Sequence, residues 1–428
     1  MMDRPAHLQL RFRGWAAAAL LALLVAQQAV SASRAWVAAI VALGLLLGLG
    51  YAWARALATR VTCQRALRHG WVQVGDLLEE VFTLRNDSPW PVLWAEVVDH
   101  SNLEGYAVSR VAAADAHGQV QWTHYGECRR RGLFTLGPWA LQMSDPFGFF
   151  EIVHVYPQVA SLLVYPPVVH LPPLNLPKGA AEGRAQARFR ARQWTANAAG
   201  VRDYRPGDPL RRIHWPSTAR RESLLVKEFD LEVSGDVWVL LDLDEEVQAG
   251  QGEESTDEYG VILAASLADK MLHQGRAVGL VAYGEERAFV SPGRGRGHLW
   301  DVLRALAVVS VGGRRPVGRV IAETGRVLRR GTTVVIITPS CDPAWPGELP
   351  PLVRRDIATS VILLDAVSFG GEGNVAAMQG MLADQGVASH VIRQGFPFRH
   401  VVPLQRRGHW EFKTLATGRV IAVRRPSG

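Results

Sequence analysis

Two long apolar runs near the amino terminus constrain this chain more than any other feature. The first covers Trp15–Val30, and the second covers residues 35–54, which contain no charged side chain. A helix needs about 20 apolar residues to cross a bilayer, so the second run is long enough and the first is slightly short. Flanking arginines can extend a short span by reaching toward the headgroups. The sequence therefore predicts a transmembrane helical hairpin over residues 1–58.

A cleaved signal peptide is the alternative interpretation of the first run. Arg4, Arg11 and Arg13 form a positive amino-terminal region, and residues 30–32 (Val-Ser-Ala) resemble a small-residue cleavage site. However, the second apolar run follows after only a few residues. The hairpin is therefore preferred, while cleavage would leave a single helix.

The distribution of arginines around the two runs predicts the topology. Basic residues precede the first run and follow the second at Arg55, Arg60, Arg65 and Arg68, whereas the short connection carries only Arg34. The positive-inside rule then places both ends of the hairpin in the cytoplasm. We expect a multi-pass protein of the cytoplasmic membrane whose large polar part is cytoplasmic.

The polar part divides into regions with different patterns. Residues 59–165 contain short β-like runs separated by turn signals such as Asn86-Asp87-Ser88-Pro89, which predicts an all-β sandwich. Residues 234–395 alternate apolar, Val- and Ile-rich strands with helices, which is typical of a parallel sheet covered on both faces. Residues 166–233 form a linker and a basic segment, and residues 396–428 form a β extension or a tail.

Charge is concentrated in one part of the chain. The net charge is +7, but residues 178–227 alone carry +8, so the remainder is almost neutral. This distribution argues against a general nucleic-acid coat, and we expect no nucleic-acid partner. The three cysteines lie far apart, which excludes a disulfide framework and a CxxC zinc site. A hydrophobic fraction of 48% excludes a disordered chain.

The densest group of candidate functional residues lies within this basic segment, between residues 200 and 220. Pro206-Gly207-Asp208 predicts a turn with arginines on both sides. Arginines can bind carboxylates or phosphates through two parallel hydrogen bonds, which would suit a partner-docking surface. Alternatively, the arginines and nearby carboxylates satisfy one another and join the two large domains. The candidate residues are Arg202, Tyr204, Arg205, Pro206, Gly207, Asp208, Arg211, Arg212, His214, Trp215 and Arg220.

The same stretch resembles the signature of a bacterial membrane family known as domain of unknown function 58. Every element of the pattern G-x-R-x-Y-x-x-G-D-x-x-R-x-I-x-W-x-x-x-A-R is present from Gly200 to Arg220. Residues 130–138 and 145–148 are also similar to the upstream region of that family. The resemblance implies a doubly wound α/β domain of the von Willebrand factor A type. It also implies association with MoxR-type AAA+ ATPases, often alongside transglutaminase-like proteins, but no known activity.

The resemblance also directs attention to a metal site. Domains of this type often bind a divalent metal through D-x-S-x-S after their first strand, and the matching positions here are Asp242, Asp244 and Glu246. Both serines are thus replaced by acids, and residues 338–342 could supply a further carboxylate. Carboxylates suit a hard cation such as Mg²⁺. The alternative is an acidic solvated loop, since more acids follow at residues 253–258.

Several enzyme motifs are absent from the sequence. No lysine follows a glycine, which excludes a phosphate-binding Walker A loop, and neither G-x-S-x-G nor H-E-x-x-H occurs. Asp208, His214 and Ser217 are close in sequence, but a catalytic triad is defined by geometry, so spacing alone predicts none. We therefore expect a membrane-anchored scaffold, not an enzyme, that docks a protein partner. A metal-dependent ligand-binding module is the alternative.

Overall fold

The computed structural model describes most of the chain and separates it into two units. The first unit runs to Pro167 and includes Leu306–Val308, and the second comprises Val168–Ala305 and Val309–Gly428. The described residues are 7–68, 70–108, 110–171, 198–204, 213–221, 223–229, 235–400, 409–414 and 420–425.

The first unit begins with a strand, β1 (His7–Phe12), followed by helices α1 (Trp15–Val30) and α2 (Arg34–Arg60). The Ser33 side chain begins α2 by accepting a hydrogen bond from Ala35 N at 3.2 Å. α1 has no buried residue, and α2 buries residues only from Gly50 onward. Among the described helices, α2 is the one that is long and apolar enough to cross a membrane, while α1 is apolar but shorter.

The remainder of the first unit is built from strands in three sheets. The five-stranded sheet has the order β1-β10-β9-β5-β6, and two three-stranded sheets have the orders β2-β4-β7 and β3-β11-β8. Its core includes Phe82, Trp139 and Tyr156, whose rings pack against one another. The strands are β2 (Val61–Leu67), β3 (Trp71–Gln73), β4 (Leu77–Asn86), β5 (Val92–Asp99), β6 (Val111–Ala114), β7 (Gln119–Glu127), β8 (Gly132–Leu136), β9 (Trp139–Ser144), β10 (Phe150–Tyr156) and β11 (Ala160–Tyr165).

β1 is an element that the sequence analysis missed, because residues 4–13 were interpreted only as a positive flank. It pairs antiparallel with β10, from His7 opposite Val155 to Phe12 opposite Phe150. Side chains alternate across a strand, and Leu10 packs against the buried core. The chain therefore enters the five-stranded sheet before the two apolar helices and returns to the same unit after them.

The second unit contains a six-stranded sheet of order β19-β18-β15-β20-β21-β22. All neighbours are parallel except the edge strand β19, which runs antiparallel to β18. The strands are β15 (Val237–Asp242), β18 (Val278–Tyr283), β19 (Arg287–Gly293), β20 (Thr333–Thr338), β21 (Ala358–Leu364) and β22 (Ala388–Ile392).

Helices cover both faces of this sheet. A Cβ on Gly260, in the helix Thr256–His273, would meet Leu241, Ile337 and Leu364. This helix therefore lies on the face of the sheet to which these three residues point. Leu240 and Ile336 point to the other face and belong to a core with residues of the helices at 317–327 and 375–384. The helices are α3 (Trp215–Arg221), α4 (Thr256–His273), α5 (Arg296–Val308), α6 (Val317–Val327), α7 (Pro350–Arg354) and α8 (Val375–Asp384), with single 3₁₀ turns at Trp345–Glu348 and Ala366–Phe369.

Within the described residues, four short antiparallel ladders complete the second unit. β12 (Val169–His170) pairs with β23 (Arg399–His400), and β16 (Gly250–Gln251) pairs with β17 (Glu254–Ser255). β13 (Ala198–Asp203) pairs with β14 (Leu225–Phe229), and the signature at residues 200–220 begins in β13 and ends before β14. In the predicted extension at residues 396–428, β24 (His409–Thr414) pairs with β25 (Val420–Arg425).

Candidate functional site

The candidate site lies where the strand order of the six-stranded sheet reverses. β15 and β20 are adjacent parallel strands, and Asp242 and Thr338 are their last residues. The two side chains meet, because Thr338 Oγ1 donates a hydrogen bond to Asp242 Oδ2 at 2.6 Å. In open α/β sheets, ligands bind outside the carboxyl ends of the strands at such a reversal. This edge is therefore the position at which a ligand of the second unit is expected.

The loop after β15 folds back on Asp242. Asp244 N donates to Asp242 Oδ1 at 3.1 Å, and Gln248 Nε2 donates to the carbonyl of Asp242 at 3.0 Å. Asp244 Oδ1 accepts a hydrogen bond from Glu246 N at 3.2 Å. Both aspartates are buried, with 7% and 3% of their surfaces exposed. The sequence thus places two of its three predicted metal ligands side by side in the interior.

Burial and the nearby second carboxylate change the acidity of Asp242. Burial raises the pKa of Asp242 to about 6, and the nearby charge of Asp244 acts in the same direction. The hydrogen bonds from Thr338 and from Asp244 N oppose this shift, because they stabilise the ionised form. Asp242 can therefore exchange a proton near neutral pH.

Glu246, the third predicted metal ligand, lies apart from this pair. Its carboxylate is exposed and forms an ion pair with Arg314 at 3.5 Å, and Glu245 also pairs with Arg314, at 3.3 Å. Within the described residues, no three histidine, cysteine, aspartate or glutamate side chains lie close enough together to hold a metal ion. As arranged, the acidic side chains alone do not form a cation cage.

Hydroxyl groups form the other side of this edge of the sheet. The comparison with the D-x-S-x-S pattern alone did not indicate them. Ser340 is buried, and its N–H donates to Thr338 Oγ1 at 2.9 Å. Trp345 Nε1 donates to the carbonyl of Ser340 at 3.2 Å and fixes this turn, while Asp342 is exposed. The signal in the sequence was the run at residues 338–342, whose first and third residues are the hydroxyl side chains of this turn.

The signature residues fall at the ends of the β13–β14 ladder. Arg202 lies opposite Val226, and Tyr204 N donates to Leu224 O at 2.9 Å. After residues 205–212, Ile213 is buried and forms a bridge to Val226. Backbone contacts thus hold Tyr204 and Ile213, on either side of residues 205–212, to residues 224–226. Arg205, Pro206, Gly207, Asp208, Arg211 and Arg212 lie outside the described residues.

The remaining signature residues surround the short helix α3. His214 N donates to Leu225 O at 2.7 Å, and His214 Nδ1 lies 2.7 Å from Ser217 Oγ. This side-chain contact joins residues three apart at the start of a helix, which is a common local capping arrangement. Trp215 is 64% exposed, and Arg220 is also exposed. These two side chains are available to a partner.

This part of the chain is similar to known proteins. Residues 200–367 match the family model described as protein of unknown function DUF58. The match begins at the first residue of the signature and includes Asp242, Asp244 and Thr338. A Bacillus subtilis protein described as uncharacterized protein YeaD is 24% identical over 62% of this chain and 67% of its own length. Uncharacterized protein Rv1480 of Mycobacterium tuberculosis is 27% identical over 38% of this chain and 53% of its own length.

The similarity to two solved structures is distant. A von Willebrand factor type A protein from Catenulispora acidiphila is 13% identical, with a TM-score of 0.27 over 40% of each chain. Proximal thread matrix protein 1 from the mussel byssus is 15% identical, with a TM-score of 0.28 over 37% of this chain and 43% of that chain. These scores are too low to support a function.

Proposed function

We propose that this protein is a membrane-anchored scaffold, not an enzyme, whose cytoplasmic units bind a protein partner. The 27-residue apolar helix α2 supports the anchor, and the pairing of β1 with β10 supports its hairpin form. β1 precedes α1, whereas β10 follows α2, and both strands belong to one sheet. A chain that crossed the bilayer only in α2 would leave β1 on the wrong side. If α2 crosses the bilayer, α1 therefore crosses as well, as a hairpin in a multi-pass protein.

The lengths of the helices are compatible with this hairpin. α1 has 16 residues, which at a rise of 1.5 Å per residue span about 24 Å. The hydrocarbon core is about 30 Å thick, so α1 requires local thinning of the bilayer or extension by its flanking residues. Cleavage near residue 31 would remove β1 and expose an edge of β10. The retained hairpin is therefore favoured over the signal peptide.

The proposed partner-binding surface includes the carboxyl edge of the six-stranded sheet. We interpret the second unit as a doubly wound domain of the von Willebrand factor A type, because its strand order reverses between β15 and β20. Exposed charges of both signs surround the edge at Glu245, Glu246 and Arg314. Such groups favour a folded, charged protein partner. A MoxR-type AAA+ ATPase is the proposed partner, with a transglutaminase-like protein as a further member of the assembly.

Crosslinking followed by purification from gently solubilised membranes tests this function. We expect an AAA+ ATPase to copurify with the wild type and to be reduced by Arg211→Ala/Arg212→Ala. Arg329→Ala/Arg330→Ala is a matched control, since it removes two adjacent exposed arginines outside the signature. Recovery of no AAA+ ATPase would reject the proposal, whereas equal recovery with all three proteins would exclude Arg211 and Arg212 from the docking surface.

Metal-dependent ligand binding is the second candidate function, and the buried pair Asp242 and Asp244 favours it. A divalent cation would neutralise their repulsion, and the hydroxyls of Thr338 and Ser340 offer further hard oxygen ligands. Participation of Glu246 would require it to leave Arg314. Calorimetric titration with Mg²⁺ or Mn²⁺ should then give a heat of binding in the wild type but not in Asp242→Ala. No heat, together with an unchanged melting temperature, would remove this candidate.

A further inference from the structure

The loop between β9 and β10 lies at the base of the two apolar helices. Arg13 N and Gly14 N both donate to Phe149 O, at 2.7 and 3.1 Å, immediately before α1 begins. On α2, a Cβ at Gly50 would lie only 3.0 Å from Asp145 Oδ2 and 3.5 Å from Phe149 Cδ2. The loop therefore contacts the chain where one helix starts and where the other enters the folded unit.

A buried carboxylate holds this loop in one conformation. Asp145 is 2% exposed, and its two oxygens accept hydrogen bonds from Phe147 N at 3.0 Å and from Phe150 N at 2.6 Å. The turn projects Phe147 outward, with 40% of its surface exposed, and the ring stacks on Phe149 at a centroid distance of 5.7 Å. The loop thus presents an apolar side chain to its surroundings at a fixed position.

Two further exposed aromatic residues lie at the same base. Trp15 is the first residue of α1 and is 73% exposed, and Tyr51 follows Gly50 and is 44% exposed. Arg55, one helical turn beyond Tyr51 toward the folded unit, donates to the Tyr51 hydroxyl at 3.4 Å. Aromatic side chains are enriched where a membrane helix meets water, and arginines on the cytoplasmic side attract anionic headgroups.

We propose that Trp15, Tyr51, Phe147 and Phe149 form an aromatic rim that lies in the headgroup layer of an anionic bilayer. The first unit thereby rests directly on lipid, with the loop at residues 145–149 as a third contact beside the two helices. This inference rests on the membrane hairpin proposed above. It adds that the first unit lies at a fixed distance from the membrane surface, in direct contact with lipid.

Spin labels at three positions of the full chain, reconstituted in anionic phospholipid vesicles, test the rim. The labelled variants are Phe147→Cys, Val159→Cys and Leu45→Cys, each in a Cys341→Ala background. Burial raises the pKa of the Cys63 thiol to about 12 and of the Cys128 thiol to about 11, so neither should react with the label. Val159 is a matched control, because it is 58% exposed and follows the far end of β10. The seven residues of β10 separate the two ends by about 20 Å.

Accessibility to oxygen and to a water-soluble nickel chelate gives the depth of each label. We expect Leu45, which is 70% exposed in the middle of α2, to lie in the hydrocarbon core, Val159 in water, and Phe147 between them. A value at Phe147 equal to that at Val159, with Leu45 still deep, would overturn the rim while leaving the hairpin intact. A water-accessible Leu45 would overturn the hairpin and the rim together.

Discussion

Carboxylates are buried in both units of this protein, but their partners differ. In the first unit, Arg65 forms ion pairs with Glu80 at 2.9 Å and with Asp99 at 2.7 Å, and all three side chains are at most 9% exposed. In the second unit, the partners of the buried Asp242 carboxylate are the Thr338 hydroxyl and the N–H of Asp244. The buried carboxylates of the first unit thus face a cation of the same fold, while Asp242 is held by neutral donors.

This difference separates a structural cluster from a candidate binding edge. Burial alone would lower the pKa of Arg65, but the hydrogen bonds and charges of Glu80 and Asp99 outweigh it and raise the pKa. The arginine therefore stays charged and offsets one of the two carboxylate charges of the cluster. At Asp242 the same burial raises the pKa of a carboxyl group that is held by neutral donors, and such raised pKa values are common at functional sites.

The largest effect is expected when the cation is removed from the first cluster. Arg65→Met leaves Glu80 and Asp99 buried without their cation, and breaking a buried pair in this way costs about 3–5 kcal/mol of unfolding free energy. Guanidinium unfolding of the full chain in detergent, followed by tryptophan fluorescence, measures the loss. Arg85→Met is the control, because Arg85 pairs with the exposed Asp87 and such pairs contribute at most about 1 kcal/mol. Equal losses in the two variants would contradict the assignment of a structural cluster.

At the edge of the sheet, replacing the buried acid is expected to raise the stability of the fold. A raised pKa favours the protonated form of Asp242 in the folded state, so its stabilising contribution is complete below pH 3.8 and is lost as the pH rises through about 6. A shift of this size corresponds to roughly 3 kcal/mol at 1.4 kcal/mol per unit. Asp242→Asn should therefore unfold at a higher temperature than the wild type at pH 8, and the advantage should diminish toward pH 4.

Thermal unfolding in chelator-treated buffer between pH 4 and pH 8 measures this difference. Asp342→Asn is the matched control, because Asp342 is exposed on the neighbouring turn and should leave the profile unchanged. If Asp242→Asn is less stable than the wild type at pH 8, the ionised carboxylate is stabilised by an interaction beyond its hydrogen bonds with Thr338 and Asp244 N. Addition of Mg²⁺ would then show whether that interaction involves a cation.

The sequence predicted the strands of both units better than it predicted the edge at Asp242 and the cluster around Arg65. Apolar runs at residues 237–241 and 360–364 became central strands because burial on both faces leaves a continuous signal. β1 was missed, since six residues with alternating Leu8, Leu10 and Phe12 are too short to separate from a charged flank. Only its partner strand, more than a hundred residues away, reveals that it belongs to a sheet.

Sequence reasoning located only part of the site at Asp242, because it recognises residues that are close in the chain and misses partners that are far away. Asp242 and Asp244 follow a strand, and their proximity is a local consequence of the turn. The separation of Glu246 from them depends on Arg314, which lies far along the chain and competes for its carboxylate. Pattern matching to D-x-S-x-S contains no information about such a competitor. The arginine–carboxylate cluster of the first unit also joins residues 15 and 34 positions apart and was not foreseen.

A smaller effect is expected from the hydroxyl that holds Asp242. Thr338→Val keeps the shape of the side chain but removes the donor, which costs about 1–3 kcal/mol when the buried carboxylate is ionised. The loss of a donor to the charged form should also move the pKa of Asp242 further upward. The stability difference from wild type should therefore grow between pH 4 and pH 8 in thermal unfolding. Thr338→Ser retains the hydroxyl, and an equally large loss in that variant would attribute the effect to packing.

The smallest effect on stability, and the most informative one on binding, is expected at Arg314. Its guanidinium is 76% exposed and pairs with the exposed Glu245 and Glu246, so Arg314→Ala should change the unfolding free energy by less than about 1 kcal/mol. If the edge docks a protein partner, the same variant should lower recovery of that partner in crosslinking. Arg319→Ala is the control, because Arg319 is similarly exposed and pairs with Glu323 on its own helix. Equal recovery with the two variants would place the docking surface elsewhere, whereas a selective loss at Arg314 would show that the weakly stabilising charges of the edge serve recognition.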